Sequence, residues 1–304
     1  MNFAFWMILL VIGVLESITG ILLNTAIVAV QINVVKNKLR SNPSHPLTIT
    51  MGLVNTLLLC MSIIWVMLYM TWSPISKAIE VINFFVVAAS WFMFFSYWLT
   101  AWLCVYYFVS VTNFHQQIVV CLKRTFTSAL PYLLLISGMG SFALSFTSLW
   151  DARVKLENKD NITLHATAII PYGFSKLFII LATLFGCWIP FALTSISIGL
   201  TLSSILRHVW RLKQNNFNCS APQLKAHLNA IRTMVLLFLL CTSSYIMALF
   251  AFEVEFSSDD IYLLNCLFIM SYPTVEAVIL IQASSKLKKM FQIKCSRQEI
   301  PMRT

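Results

Sequence analysis

Long distances between successive charged residues constrain this chain more than any other feature. Residues 41–76, 81–122, 125–150, 177–206 and 233–252 contain no Asp, Glu, Lys or Arg. Residues 1–35 carry only Glu16, and residues 261–285 only Glu276. A helix needs about 20 mainly apolar residues to cross the hydrocarbon core of a bilayer. Each of these seven segments is long enough, and the short charged separators leave no room for an eighth. The runs 41–76 and 81–122 read as one long helix each, with polar ends such as Ser41-Asn42-Pro43-Ser44-His45-Pro46 and Thr112-Asn113-Phe114-His115. A membrane β-barrel would instead show alternating segments of about ten residues. The first segment is read as a span and not as a removable signal peptide, because it lacks a basic start and stays apolar too long before Lys36.

Composition agrees. Of 304 residues, 59% are hydrophobic and 11% charged, against about 25% charged in a soluble globular chain. So little charge cannot clothe a soluble surface of this size. A soluble enzyme, a secreted disulfide scaffold and a disordered regulator are excluded. The expected fold is all-α: one seven-transmembrane helical bundle over residues 1–304, with a short basic tail at 284–304.

The basic residues predict the orientation. Sixteen of the 21 Lys and Arg residues follow spans one, three, five and seven, from Lys36, Lys38 and Arg40 to the tail residues Lys286–Arg303. The opposite side holds Lys77, Arg153, Lys155, Lys159 and Lys176, and most of the acids, Glu80, Asp151, Glu157, Asp160, Glu253, Glu255, Asp259 and Asp260. The amino terminus is therefore expected outside and the carboxyl terminus in the cytoplasm. The net charge of +10 sits on the inner face, where it meets anionic lipid; nothing in it points to nucleic acid. The sequon Asn161-Ile162-Thr163 lies in the second outer connection, where it can accept a glycan, whereas Asn218-Cys219-Ser220 lies inside.

Chemistry-bearing patterns are missing. The eight cysteines fall within spans or on the inner side, so no outer connection offers a disulfide pair, and none has metal-ligand spacing. The five histidines are scattered. The sequence has no His-Glu-x-x-His, phosphate-binding Gly-rich loop or Gly-x-Ser-x-Gly turn. Neither metal nor cofactor is called for. A transporter would show broken helices in matching halves or inverted repeats, but seven spans do not divide into two equal halves. Seven helices without chemistry fit a ligand-operated receptor.

Three stretches carry a family resemblance. The third span reads Trp98-Leu99-Thr100-Ala101-Trp102-Leu103-Cys104-Val105-Tyr106-Tyr107-Phe108 and continues to Thr112-Asn113-Phe114. The fifth has Pro190-Phe191 and ends Ser203-Ser204-Ile205-Leu206-Arg207-His208. The sixth is preceded by Pro222-Gln223-Leu224-Lys225-Ala226-His227-Leu228-Asn229-Ala230. These resemble the Trp-Leu…Asn-Phe, Pro-Phe…His and Pro-x-x-Lys-Ala-His-x-x-Ala runs of the type 2 (bitter) taste receptors among G-protein-coupled receptors. Weaker matches are Glu16…Gly20…Asn24 and Tyr272-Pro273 with Lys286-Leu287-Lys288. The chain is similar to a divergent member. Ser110 stands for the family's Lys, Asn55 for its second-span Arg, Glu276-Ala277 for its His-Ser, and Ser284 for its Asn. Ala89 and Met93 stand where many relatives carry a Trp and an Asn for ligands. There is no Asp-Arg-Tyr after span three and no Asn-Pro-x-x-Tyr in span seven, as larger rhodopsin-like receptors would have. Type 1 vomeronasal-like chemoreceptors are the nearest alternative, and a small-solute transporter the next.

The resemblance implies a set of site residues. Ala89, Met93 and Ser96 of span three, Ser244 and Tyr245 of span six, and Cys266 and Ile269 of span seven are expected on the ligand face. Tyr107, Arg207, His208, Lys225, His227 and Glu276 are expected around an inner cavity that couples to the G protein. Glu276 would accept a charge-assisted bond from His208 or Arg207, or remain a protonated or water-bound acid. Glu16, Asn24 and Asn55 are expected to form a polar network between spans one, two and seven. An ionised carboxylate in mid-bilayer is costly unless partnered, and hydrogen-bonded glue between helices is the plainer reading of that network. The many aromatics around Trp91 and Trp98 are too numerous for one pocket, so most pack against helices or lipid.

The implied function is a plasma-membrane receptor for small, bitter-tasting amphipathic molecules. Its partners would be the agonist, a heterotrimeric G protein of the gustducin-like or inhibitory class and membrane lipid, with homo- or hetero-oligomers left open. A ligand shifts the resting–active equilibrium by its difference in affinity for the two states. With few charges in the pocket, apolar burial at about 25 cal/mol per Å² predicts broad, weak recognition.

Overall fold

In lipid every backbone N–H and C=O must be satisfied within the protein, which leaves helices as the structure for apolar runs of this length. The computed structural model describes residues 3–36, 44–70, 79–111, 117–149, 176–214, 221–253, 259–284 and 287–288. These form seven long helical stretches: α1 (Phe3–Lys36), α2 (Ser44–Met70), α3 (Ile79–Val111), α4 (Gln117–Phe146), α5, α6 (Ala221–Glu253) and α7 (Asp259–Ala283). The fifth is composite, with Lys176–Leu181, a π-helical segment Ala182–Trp188, and Ile189–Gln214 in succession. Six of the seven are long and apolar enough to cross a bilayer, and α7 contributes the shorter apolar stretch Leu267–Ala283 among the described residues.

Helix starts follow local chemistry. Pro46 and Pro222 sit in the first turns of α2 and α6, where a missing N–H removes no helical bond. One boundary differs from the reading of the charge-free run 81–122. That run holds α3, which is described to Val111, and the start of α4 at Gln117. Lys123 and Arg124 therefore lie inside α4 and not in a connection. Long basic side chains within a helix end can still reach water or lipid headgroups.

The helices close into a ring with α3 near its middle. Helix α1 packs on α2 and α7, α7 on α6 and α2, and α3 on α2, α4, α5 and α6. One buried cluster joins Ile27, Met51, Leu99, Leu103, Leu237 and Leu280. A second joins Phe94, Tyr97, Phe178, Cys187, Tyr245 and Tyr272. Outward faces carry exposed Ile8, Val11, Leu15 and Leu22 on α1, and Leu135, Ile136 and Met139 on α4. A contiguous apolar exterior of this extent suits lipid, not water. Serine and threonine hydroxyls within the helices mostly donate to the carbonyl four residues back, as Ser17 does to Gly13 at 2.8 Å and Thr201 to Ser197 at 2.7 Å.

The π-helical segment of α5 has a sequence cause. Pro190 lies two residues beyond its end, and a proline ring collides with the carbonyl four residues earlier. Widening the preceding turn relieves that collision, and the Ile189 N–H accordingly donates to the Leu184 carbonyl, five residues back. The wider turn brings Gly186 against Phe94 of α3. A Cβ at Gly186 would stand 2.6 Å from the Phe94 ring. The proline that resembles the family pattern thus shapes an α3–α5 contact one turn away.

Candidate functional site: a buried carboxylate beneath an aromatic cluster

Glu276 of α7 is fully buried and is met by four side-chain donors. The Thr100 hydroxyl donates to its Oε1 at 2.6 Å and the Tyr272 hydroxyl to the same oxygen at 3.3 Å. The Asn55 amide donates to Oε2 at 2.7 Å, and the Ser96 hydroxyl approaches that oxygen at 3.4 Å. Ser96 also donates to Asn55 Oδ1 at 3.2 Å. Asn55 extends the network to Asn24 Oδ1 at 3.4 Å, and the Asn24 amide donates to the Gly20 and Pro273 carbonyls at 2.9 and 3.3 Å. One acid thereby ties together α1, α2, α3 and α7. Hydrogen bonds to charged groups contribute about 1.5–3 kcal/mol each, although polar contacts between membrane helices average lower.

The spacing on each helix explains the convergence. Ser96 and Thr100 are four apart on α3, as are Tyr272 and Glu276 on α7, so each pair shares a helix face. The Tyr272 hydroxyl also lies 3.4 Å from that of Thr100 and 3.7 Å from the Cys241 sulfur of α6. It is the hinge between the polar core and the aromatic cluster. The Tyr97 ring meets Tyr245 edge-on at 4.7 Å and Tyr272 edge-on at 5.5 Å. Phe191, just beyond Pro190, meets Tyr245 at 5.7 Å and Phe238 at 5.1 Å. Edge-to-face geometry is the favoured contact between aromatic quadrupoles. The Tyr245 hydroxyl is buried and has no hydrogen-bond partner among the described residues.

The structure distributes the expected residues as follows. Met93 packs beside the aromatic cluster, Tyr245 lies within it, and the Ser244 hydroxyl turns back to the Leu240 carbonyl at 2.9 Å. Ala89 and Ile269 are half-buried on α3 and α7. Ser96 lies in the polar core against Asn55 and Glu276. Tyr107 is half-buried on α3, and Arg207 is exposed on α5. The side chains of Cys266, His208, Lys225 and His227 lie outside the described residues, as does Asn161.

Two expected pairings differ. Among the described residues Glu276 meets neutral donors of α2, α3 and α7 and not Arg207, which is exposed on α5, while the side chain of the other expected partner, His208, lies outside them. Glu16 does not join Asn24 and Asn55. Its Oε2 accepts from Ser271 of α7 at 3.0 Å, and its backbone carbonyl from Thr274 at 3.4 Å. Eight residues advance a helix about 80° beyond two full turns, enough to place Glu16 and Asn24 on different neighbours. Thr100 and Tyr272 were absent from the sequence-derived set of site residues. Their signal was the pair of four-residue spacings, Ser96/Thr100 and Tyr272/Glu276, within otherwise apolar helices.

A seven-helix bundle with a polar core linking its helices is the architecture of a G-protein-coupled receptor. The fold is similar to that in the crystal structure of squid rhodopsin, with a TM-score of 0.61 over 99% of this chain and 88% of that one, at 10% identity. The chain belongs to the Taste receptor protein (TAS2R) family, whose profile matches residues 1–297. Taste receptor type 2 member 40 of Gallus gallus is 27% identical over 289 residues, 92% of each chain. Taste receptor type 2 member 46 of Homo sapiens is 28% identical over 207 residues, 65% of this chain and 64% of that one. The protein is thus a multi-pass chemosensory receptor of the bitter taste family and not an enzyme, with a ligand and a G protein as partners. This membership displaces the vomeronasal-like and transporter alternatives.

Proposed function

We propose that the receptor detects small amphipathic bitter-tasting molecules in a cavity among the outer halves of α3, α5, α6 and α7. It signals from the plasma membrane through a gustducin-like or inhibitory-class G protein. What supports this reading is the seating of the Tyr97–Tyr245–Tyr272 cluster directly on the Glu276 network. A ligand that displaces Tyr245 or Met93 disturbs Tyr272, and Tyr272 shares Glu276 with α2 and α3. A ligand favouring one arrangement of that cluster therefore shifts the whole bundle by its difference in affinity for the two arrangements. The inner ends of α5 and α6, carrying Arg207, His208, Lys225 and His227, then part to admit the G protein.

The test is a calcium readout in cells co-expressing the chain with a gustducin-type chimeric α-subunit, screened against a bitter panel. Responses to several chemically unrelated amphiphiles are expected, each weak. Silence across the panel at proven surface display overturns the reading.

The proposed orientation puts the amino terminus and Asn161 outside and the basic carboxyl-terminal tail in the cytoplasm. An amino-terminal tag should bind antibody on intact cells, and a carboxyl-terminal tag only after permeabilisation. Both tags on one side would refute seven crossings.

A further inference from the structure

Helix α4 packs on α3 and on the π-helical segment of α5, which leaves a broad face open. At its start that face is not apolar. A groove there is lined by Arg124, Thr125, Ser128, Ala129 and Tyr132. Arg124, Thr125 and Ser128 are exposed, and Tyr132 is 70% exposed. Arg124 has no partner among the described residues. Further along the helix the same face becomes wholly apolar, through Leu135, Ile136 and Met139.

We propose that this groove holds one anionic phospholipid of the cytoplasmic leaflet. The order of groups along α4 matches the order of groups in such a lipid. Arg124 is the described side chain of α4 nearest the end that the expected orientation places inside, where the lipid phosphate would lie. Ser128 lies one turn deeper, about 6 Å along the axis, at the depth of the glycerol ester carbonyls. Side chains on a helix lean toward its amino terminus, so the Tyr132 ring lies back over the Ser128 turn and its hydroxyl faces the same carbonyls. Leu135, Ile136 and Met139 then continue as a wall for an acyl chain. A cation followed by hydroxyls and then aliphatic groups would be poorly matched by an apolar partner helix. Arginine binds phosphate through a planar fork of donors, and the cytoplasmic leaflet supplies the anionic lipid.

The site rests on the inside placement of the α4 start, but not on ligand or G-protein identity, so its test is independent of agonist response. The full chain is placed in nanodiscs of dioleoyl phosphatidylcholine with a minor share of dioleoyl phosphatidylserine, and retained lipids are counted by native mass spectrometry. One phosphatidylserine is expected to stay bound out of proportion to its share. Arg124→Gln should lower its retention about fivefold, the effect of one basic residue at an anionic surface. Tyr132→Phe and Ser128→Ala should lower it less, with melting temperature unchanged because all three side chains are exposed. Arg232→Gln serves as the comparison, since Arg232 is an exposed cation on another helix. Equal retention of the two lipids overturns the proposal. So does an Arg232→Gln loss as large as that of Arg124→Gln, which would reduce the effect to general charge.

Discussion

Glu276→Leu is expected to lower stability by about 3 kcal/mol and to reduce surface expression sharply. Leucine fills a similar volume, so the loss comes from donors left without an acceptor, at about 1–3 kcal/mol for each buried one. Asn55 and Thr100 make the short bonds to the carboxylate, 2.7 and 2.6 Å, and lose most. Each keeps a poorer alternative, Asn55 to Asn24 Oδ1 at 3.4 Å and Thr100 to the Ser96 carbonyl at 3.1 Å, which holds the total below the sum of full penalties. Glu276→Gln should behave differently. Its amide oxygen can still accept from Asn55, and its NH₂ can face Thr100 and Tyr272, whose hydroxyls rotate to accept. A loss of about 1 kcal/mol is expected, with normal surface display. That is enough to change a two-state ratio about fivefold, so basal signalling should rise if the network favours the resting state. Thermal unfolding of the purified variants separates the cases. A leucine variant as stable as the parent would show that the network holds nothing together, and unchanged basal signalling in the glutamine variant would reduce it to a structural tie.

The crossings were legible because a bilayer tolerates so little charge that the gaps between charged residues mark the helices. The same intolerance made Glu16, Asn24, Asn55 and Glu276 visible, since polar groups within apolar runs need partners. Three of these four do share one network. Glu16 fell outside it because an offset of about 80° directs it to Ser271, a difference that sequence spacing alone leaves ambiguous. Thr100 was hidden by its ordinariness. Serine and threonine occur throughout these helices and mostly satisfy themselves on the preceding turn, so the Ser96/Thr100 spacing is a weak signal until α7 brings a carboxylate alongside. The end of α3 at Val111 agrees with the polar 112–115 region. The start of α4 at Gln117 was obscure, because no charge marks it and the first charges, Lys123 and Arg124, lie inside the helix. At Pro190 the helix disturbance was to be expected, but its form as a widened turn also involves Gly186 lying against Phe94, a tertiary contact.

Gly20→Val is expected to be among the most damaging single changes in α1, because that glycine lets α1 approach both α2 and α7. A Cβ there would overlap the Thr274 hydroxyl of α7 and lie 2.7 Å from Leu59 Cδ1 of α2. Small residues at such crossings let membrane helices pack backbone to backbone, and forcing bulk between packed elements costs about 1–3 kcal/mol. The consequence reaches the polar core. Asn24 donates to the Gly20 carbonyl and to the Pro273 carbonyl, so pushing α1 away from α7 lengthens the second bond and loosens the Asn24–Asn55–Glu276 chain. Gly20→Ala should be milder, and Thr274→Ala should partly rescue it by removing the nearest clashing atom. The double variant should then be at least 0.5 kcal/mol more stable than additivity predicts. Gly140→Ala supplies the contrast, since a Cβ there meets nothing within 4 Å; it should be neutral or stabilising by up to about 1 kcal/mol, from reduced backbone freedom in the unfolded chain. Melting temperatures of the purified variants decide the matter. If Gly20→Ala and Gly140→Ala shift stability alike, or if Thr274→Ala adds its own loss without rescue, the close approach of α1 to α7 is not what holds the polar core in register.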